Sequence, residues 1–363
     1  MRRQALKTLA GQFQANQAPG PYATQTQESV FTDPDRGGRE IKTLLYQPVK
    51  AEGDTSAAPL VMLSHGLGGS EKTLGYLAEH LASHGYAVMA LNHPGSDVEA
   101  ERAVKHQFYQ TKLHDFGVSE EAIQELSENG RLTEAGVSRF LSNRGVDEGQ
   151  ISQLNREAEK SVTDALLDHN PQQWADRPQD VTFVLNQLEA QALSQPELAP
   201  RIDFNNIAAA GHSYGSFTTL ALAGAEVKTA DGATKSFLDP RIKAAYVLSP
   251  IGSREDRGPF TSTSFQSLKT PVFGVAGSEE DPEFRSQPVK LGPETENHYM
   301  TVLNGKRHID FGNGGDEETH TFVNGSALTF LDAYMRSDLV SLSALNDLPT
   351  GEGRLERNPF FKR

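Results

Sequence analysis

The pentapeptide Gly-His-Ser-Tyr-Gly at residues 211–215 is the stretch of this chain whose residue types and spacing point most directly to chemistry. It follows an apolar run at 207–210, which predicts a buried strand, and precedes a helix-prone segment at 217–223. A sharp strand-to-helix turn lifts a serine hydroxyl clear of the backbone, and glycines at both ends avoid clashes with the neighbouring elements. The pattern predicts that Ser213 is a nucleophile and that His212 packs beneath the turn.

A base and an acid for this serine are expected at the ends of two later strands. The apolar strand predicted at 271–276 runs into Gly-Ser-Glu-Glu-Asp-Pro, and the strand predicted at 299–303 ends shortly before His308. His308 would take the proton of Ser213, and the acid would hold the imidazole in the required tautomer. The chain order of serine, acid and histidine differs from the orders in chymotrypsin and subtilisin.

Three consecutive carboxylates could supply the acid, namely Glu279, Glu280 and Asp281. We prefer Asp281, because Asp is the commoner acid in such triads and Pro282 would fix the backbone beyond it. Glu280 is the alternative, although its longer side chain would need further contacts to hold it. In a third interpretation the three residues are a solvated turn and the acid lies elsewhere, for instance at Asp310.

A glycine-rich loop, His-Gly-Leu-Gly-Gly-Ser at 65–70, follows the apolar strand predicted at 59–64. Such a loop leaves backbone N–H groups free to bind the oxyanion of a tetrahedral intermediate, together with the N–H that follows the nucleophile. The predicted donors are the backbone N–H groups of Leu67 and Tyr214, and His65 is expected to order the loop. A phosphate-binding turn is the alternative, but no Lys-Ser/Thr pair of the Walker type follows.

Together with two further motifs, these stretches resemble the α/β-hydrolase superfamily. Within it, the chain is similar to the branch of dienelactone-hydrolase-like and platelet-activating-factor acetylhydrolase-like esterases. The resemblance implies an α/β fold with a doubly wound, mostly parallel sheet, and ester hydrolysis through a Ser-His-Asp triad. We expect no cofactor and no metal. The matching stretches are 65–68, 92–97 (Asn-His-Pro-Gly-Ser-Asp), 176–181 (Asp-Arg-Pro-Gln-Asp-Val) and 211–225.

Two departures limit what this resemblance implies. Dienelactone hydrolases use a cysteine nucleophile, and this chain has no cysteine, so their reaction is not implied. In the eukaryotic acetylhydrolases the acid follows the strand after the nucleophile's helix, but here that strand, 244–248, ends in Ser249 and Pro250. The acid is therefore expected from the following strand end, as in many bacterial esterases and polyester hydrolases.

The function expected from these residues is hydrolysis of small-molecule carboxylic esters with short or medium acyl chains, through an acyl-enzyme. A lipase, a phospholipase, a polyester hydrolase or an acyltransferase would use the same triad and stays as the alternative. A catalytically silent fold used for binding is disfavoured, because Ser213, His308 and the glycine-rich loop are all present.

The chain is expected to form one domain with an insertion. Alternating strands and helices over 31–340 predict the doubly wound sheet. The segment 98–170 breaks this alternation and leaves from the carboxyl edge of the sheet, so we expect a helical cap over the active site. A side-packed or dimerising element is the alternative. Residues 1–30 are expected to be a flexible leader, or in part a strap across the fold, and 341–363 a loosely held tail.

Composition narrows the range of partners. The 363 residues include 48 Asp and Glu against 34 Lys and Arg, a formal net charge of −14, which argues against nucleic acid or an anionic membrane as a main partner. Since no apolar run approaches ~18 residues, no membrane span is expected. The basic start, Arg2 and Arg3, lacks an uninterrupted apolar core, so no signal peptide is predicted. Cytoplasmic and exported locations both stay open, as does the oligomeric state.

Overall fold

A nine-stranded sheet forms the centre of the computed structural model, which describes residues 11, 14–127, 130–195, 201–293, 297–346 and 360–362. The described strands are β1 (Thr24–Asp33), β2 (Arg39–Pro48), β3 (Ala58–Ser64), β4 (Ala87–Leu91), β5 (Ile202–His212), β6 (Val227–Lys228), β7 (Thr234–Lys235), β8 (Ile242–Leu248), β9 (Val272–Gly277), β10 (His298–Leu303) and β11 (Phe360–Lys362). The order across the sheet is β1-β2-β4-β3-β5-β8-β9-β10-β11, and β6 and β7 form a separate hairpin.

Six strands at the centre of the sheet are parallel to one another, namely β4, β3, β5, β8, β9 and β10. The strands β1, β2 and β11 are antiparallel to their neighbours. The helices are α1 (Gly75–Ser83), α2 (Val98–Asp115), α3 (Glu120–Leu126), α4 (Glu134–Asn143), α5 (Glu148–Leu166), α6 (Pro171–Ser194), α7 (Tyr214–Leu222), α8 (Pro282–Lys290), α9 (Glu317–Met335) and α10 (Leu339–Asn346). None of the helices in the described ranges is both long enough and apolar enough to cross a membrane.

Helices cover both faces of the sheet because the side chains of each strand alternate between them. In β3, Val61 and Leu63 pack in the core beneath α1 and α9, whereas Leu60 and Met62 pack in the core beneath α6. Burying each such side chain contributes about 1.5–3 kcal/mol to folding. Two covered faces around parallel strands confirm the predicted α/β fold class.

The insertion between β4 and α6 consists of the four helices α2 to α5, which bury an apolar core of their own that includes Tyr109 and Leu154. Its first residues are tied to the glycine-rich loop. The N–H of Gly68 donates to the carbonyl of Ser96 at 3.0 Å, and the N–H of Val98 donates to the carbonyl of Gly69 at 2.9 Å. The insertion therefore begins in direct contact with the loop that follows β3.

The predicted leader is shorter than 1–30, because Thr24 already begins β1, which pairs with β2 along its whole length. Ahead of this strand, the chain lies across α1 in the manner of a strap. The N–H of Tyr22 donates to the carbonyl of Ser83 at 3.0 Å, and Asn16 hydrogen-bonds Thr329 in α9 at 2.9 Å. Residues 1–10, 12 and 13 lie outside the described residues.

The predicted loose tail over 341–363 also needs correction. Ala344 and Leu345 in α10 are buried in the core beneath α9, and β11 adds an antiparallel strand to β10. Both segments are therefore held by packing or by backbone hydrogen bonds. The rest of this prediction, over 347–359 and 363, lies outside the described residues.

Candidate active site

Ser213 occupies a strained turn between β5 and α7. Its backbone has φ 54° and ψ −116°, a conformation that residues with a Cβ rarely adopt. The flanking glycines are required by close packing, since a Cβ on Gly211 would lie 2.4 Å from the carbonyl oxygen of Gly215, and one on Gly215 would lie 2.0 Å from that of Ser64. The turn therefore holds Ser213 where strand, helix and glycine-rich loop meet.

The structure brings Ser213 together with one histidine and one carboxylate. Nε2 of His308 lies 2.9 Å from Oγ of Ser213, and Nδ1 of His308 lies 2.8 Å from Oε2 of Glu280. When Nδ1–H donates to the carboxylate, Nε2 is left with a lone pair that can accept the serine proton. The three side chains thus have the connectivity of a nucleophile, a base and an orienting acid.

Asp281, the acid preferred from the sequence, has a different place in the structure. Its Oδ1 accepts the N–H of Phe284 at 3.1 Å and so caps the N-terminus of α8. Pro282 is the cause, because a proline at the first helical position makes the residue before it the N-cap. Glu280, the alternative, occupies the position beside His308, and Asp310 pairs with Arg307 at 3.0 Å.

The extra contacts that a long glutamate side chain needs are present around Glu280, whose side chain is 2% exposed. Its Oε1 accepts the hydroxyl of Ser249 at 2.8 Å and the N–H of Gly277 at 2.9 Å. Burial raises the pKa of this carboxyl, but the hydrogen bond from His308 and the charge of Arg285 outweigh it and lower the pKa to about 2. Glu280 is therefore an anion throughout the neutral range.

Arg285, in α8, is a further residue of this cluster that the sequence analysis did not find. Its Nε lies 2.8 Å from Oε2 of Glu280, and its Nη2 lies 3.1 Å from Nδ1 of His308. Because Nδ1–H must donate to Glu280 in the reactive tautomer, the contact with Nη2 places a cation beside the imidazole without a hydrogen bond. The signal in the sequence was Pro282, which marks the start of a helix and so places Arg285 in the first turn of that helix, close to the end of β9.

We expect Arg285→Gln to lower kcat by roughly tenfold. The reason is that the guanidinium contacts both Glu280 and His308, so its loss would loosen the carboxylate that orients the imidazole. Arg285→Lys keeps the charge and should recover part of the rate. Steady-state rates of both variants measure the effect, with circular dichroism to confirm folding, and an unchanged kcat in Arg285→Gln would show that the guanidinium is not needed for this arrangement.

His212 and His65 both bind backbone groups around the turn. His212 is buried and donates from Nε2 to the carbonyl of His308 at 3.0 Å. Burial, and next the adjacent ring of His308, lower the pKa of His212 to about 3, so it stays neutral. His65 donates from Nδ1 to the carbonyl of Gly66 at 2.6 Å and accepts the N–H of His93 at Nε2 at 2.9 Å. Each ring thus fixes a loop rather than facing the hydroxyl of Ser213.

The motifs at 92–97 and 176–181 meet behind the glycine-rich loop. Arg177 is fully buried and donates to the carbonyl of His65 and, at 2.8 Å, to the hydroxyl of Ser96, while its guanidinium lies 4.4 Å from the ring centre of Tyr214. This side chain therefore connects the loop after β3 with the first residue of α7.

Asp180 extends this buried network towards the connection between β1 and β2. It accepts Nδ1–H of His93 at 3.0 Å and contacts Arg36 at 2.7 Å and Arg39 at 2.8 Å. Burial raises its pKa, but the hydrogen bonds of Arg39 and His93 outweigh burial and lower it to about 2. A buried carboxylate is stable only with such partners, so the network has one well-defined arrangement.

The two predicted oxyanion donors lie next to Ser213. A Cβ on Gly66 would come within 3.4 Å of Cβ of Ser213, so the loop passes directly by this serine, and Leu67 follows and lines the adjoining cavity. Tyr214 is the first residue of α7, and the first N–H groups of a helix have no intrahelical acceptor. Both N–H groups can therefore serve an oxyanion at Ser213.

A cavity of about 490 Å³ opens at Ser213 and His308. Leu67, Leu167 and Ile251 form apolar parts of its wall, and Thr163 brings the end of α5 to it. Within the described ranges, no group of three or more His, Asp or Glu side chains is arranged to hold a metal ion. Ser213, His308 and the glycine-rich loop all contribute to the wall of this cavity.

A family comparison agrees with this geometry. The model of the family described as platelet-activating factor acetylhydrolase, isoform II, matches residues 42–238, more than half of the chain. The matched region contains the glycine-rich loop, both buried motifs and Ser213, while Glu280 and His308 follow it. No curated protein matches the chain at a significant level. The chain belongs to the platelet-activating factor acetylhydrolase isoform II family, and it is a serine hydrolase of carboxylic esters with the α/β-hydrolase fold.

Proposed function

We propose that the protein cleaves small carboxylic esters with short or medium acyl chains through an acyl-enzyme on Ser213. The observation that carries this proposal is the 2.9 Å contact between Ser213 Oγ and His308 Nε2, backed by a carboxylate that stays ionised at neutral pH. A weakly acidic hydroxyl becomes a nucleophile when a positioned base can take its proton as it attacks.

In the acylation step, Oγ of Ser213 attacks the ester carbonyl carbon while His308 takes the hydroxyl proton at Nε2. The carbonyl oxygen becomes an oxyanion, which the N–H groups of Leu67 and Tyr214 would bind. Collapse of this intermediate breaks the bond to the alcohol oxygen, and the imidazolium gives its proton to that oxygen. Glu280 stabilises the imidazolium and holds its orientation throughout.

In the deacylation step, a water molecule takes the place of the alcohol. His308 removes one proton from the water as its oxygen attacks the acyl carbon, and the second tetrahedral intermediate uses the same oxyanion donors. The bond to Oγ then breaks, Oγ recovers a proton from His308, and the carboxylic acid leaves. Protons and charges balance without any further reactant.

The size of the cavity supports short or medium acyl groups. About 490 Å³ lies in the range of clefts that enclose small molecules, and the apolar parts of the wall suit an acyl chain. Ile309, on the rim, is 64% exposed, which favours contact with a longer chain that leaves the cavity. A lipase or phospholipase that uses the same triad is therefore the second candidate.

We also propose that the insertion over 98–170 limits the cavity from one side, in the manner of a partial cap. The support is the position of Thr163, at the end of α5, and of Leu167 in the cavity wall. The contacts of Ser96 and Val98 with the glycine-rich loop give its other end a fixed attachment.

The experiment that tests the proposed function measures turnover of p-nitrophenyl esters from acetate to dodecanoate, before and after treatment with a serine-directed organophosphate. We expect the highest kcat/KM among the shorter chains and complete loss of turnover when one phosphoryl group is bound. Peptide mass spectrometry should locate that group on Ser213. Turnover that survives the label, or a label on another serine, would contradict the proposal, and a maximum at long chains would favour the second candidate.

A further inference from the structure

The wall of the cavity at Ser213 is positively charged. Two arginines, Arg254 and Arg285, contribute to it, and among the described residues that line it there is no carboxylate. This local excess is opposite to the balance of the whole chain, whose formal net charge is −14. Glu280 lies close by but is behind His308 and only 2% exposed, so it does not present a negative surface to the cavity.

The guanidinium of Arg285 is not the group that would bind a ligand, because its nitrogen atoms all contact other residues of the protein. Its Nη1 donates to the carbonyls of Ser249 and Pro250 at 3.1 and 3.2 Å, and its Nε and Nη2 face Glu280 and His308. The guanidinium is thus used by the protein itself, and its charge is matched by that of Glu280.

Arg254 differs from Arg285 in its charge balance. Its Nη1 lies 3.0 Å from Oδ1 of Asp168, a carboxylate that is 2% exposed, and Arg257 approaches the same carboxylate at 3.7 Å. Two guanidinium groups therefore share one anion, which leaves one positive charge unmatched in this cluster. Within the described part of the chain, the guanidinium of Arg254 makes one hydrogen bond, which goes to Asp168. Its other N–H groups can therefore donate to a bound ligand.

The position of Arg254 is fixed before any ligand arrives. Its side chain packs over Gly258, where an added Cβ would lie 2.6 Å from Cβ of Arg254, and its guanidinium lies 5.2 Å from the ring centre of Phe284. The backbone N–H of Arg254 donates to the carbonyl of Phe260 at 2.9 Å. A charged group held in this way loses little conformational freedom when it binds a ligand.

The adjoining groove has mixed charges, unlike the cavity. It shares Arg254 and Arg285 with the cavity and adds Arg257 and Arg307, but three carboxylates also line it, namely Glu279, Glu280 and Asp281. A negative group would therefore be bound most favourably when it reaches Arg254 from within the cavity that contains Ser213.

We infer that the natural substrate is an ester that also carries a negatively charged oxygen group such as a carboxylate, which Arg254 binds while Ser213 attacks the ester. This inference rests on the proposed function, because it concerns the substrate of the same site. A guanidinium binds a carboxylate through charge-assisted hydrogen bonds, which are among the stronger polar contacts in proteins. The negative group can belong to the acyl part or to the alcohol part.

Two pairs of esters test the inference and separate these two sources. For the acyl part, the mono-p-nitrophenyl ester of glutaric acid is compared with p-nitrophenyl butyrate, which has the same leaving group. For the alcohol part, 4-acetoxybenzoate is compared with its methyl ester. We expect kcat/KM to favour the anionic member of one pair by ~10–100-fold, mainly through KM, and the preference to shrink as salt is added.

Variants assign the preference to one side chain. Arg254→Gln should remove most of the ~10–100-fold preference, and Arg254→Lys should keep part of it. The matched control is Arg307→Gln, which lies in the groove outside the cavity wall, pairs with Asp310 and not with Asp168, and should leave the preference in place. Thermal unfolding of each variant checks that the fold is retained. If the unmodified enzyme cleaves both neutral esters and shows no preference in either pair, the inference is wrong although the proposed function stands. A preference that Arg254→Gln and Arg254→Lys both retain in full also overturns it.

Discussion

Replacement of Ser213 by alanine should lower kcat for p-nitrophenyl acetate by ~10⁴-fold or more, the usual cost of removing the nucleophile of such a triad. Without Oγ no acyl-enzyme can form, and the remaining donors can only assist direct attack by water. Initial rates at saturating substrate measure the effect, and any slow background is separated by organophosphate treatment.

Alanine is the appropriate replacement at this turn because it carries the same Cβ as serine and so keeps a similar backbone strain at φ 54°. The thermal unfolding midpoint should therefore stay close to that of the unmodified protein. A folded Ser213→Ala protein with more than a few per cent of the original kcat would show that the nucleophile lies elsewhere.

The second large effect concerns the acid. Glu280→Gln should lower kcat by ~10⁴-fold, because an amide cannot hold the imidazole in the reactive tautomer or stabilise its protonated form. The matched control is Asp281→Asn, which should keep kcat within about twofold, because asparagine is as good an N-cap as aspartate. Steady-state rates of both proteins, with circular dichroism to confirm folding, decide between the two residues.

The opposite result, an inactive Asp281→Asn and an active Glu280→Gln, would contradict the proposal that Glu280 is the acid that orients His308. Loss of activity in both variants would also contradict it if the folds were intact, since the carboxylate of Asp281 has no contact with His308 among those described and contacts Phe284 instead.

The meeting of Ser213 and His308 could be predicted from the sequence because the signals for both residues are local. Glycine spacing defines the turn at 211–215, and an apolar run places a histidine just after a strand end. Parallel strands then bring these two ends to the same edge of the sheet. No knowledge of side-chain packing was needed for either residue.

The acid was harder to predict from the sequence, because the side chains of neighbouring residues in a turn differ mainly in the direction in which they point. Pro282 favours Asp281 when it is considered only as a backbone restraint, but a proline that starts a helix makes the preceding aspartate its N-cap. With that role assigned to Asp281, Glu280 is the carboxylate left to meet His308. The position of Glu280 depends on the hydroxyl of Ser249 and on Arg285, which belong to another strand end and to a helix. The sequence of the turn alone therefore does not determine which carboxylate meets His308.

The first strand was missed for a different reason. Along β1 only Phe31 and Asp33 are buried, and most of the other side chains are exposed, so the sequence lacks the alternating apolar pattern on which strand prediction depends. Its backbone pairing with β2 holds it in place. In the same way, the positive wall formed by Arg254 depends on tertiary contacts with Asp168, 86 residues earlier in the chain.

The strained backbone conformation at Ser213 makes activity and thermostability compete in this protein. A residue with a Cβ in such a conformation costs on the order of 1–3 kcal/mol, a cost that glycine largely avoids. The most stable sequence at this turn therefore has glycine in place of Ser213 and lacks the hydroxyl that we propose as the nucleophile. Directed evolution that scores only resistance to heat would accumulate glycine at position 213, so any engineering of this enzyme must select for turnover at every round.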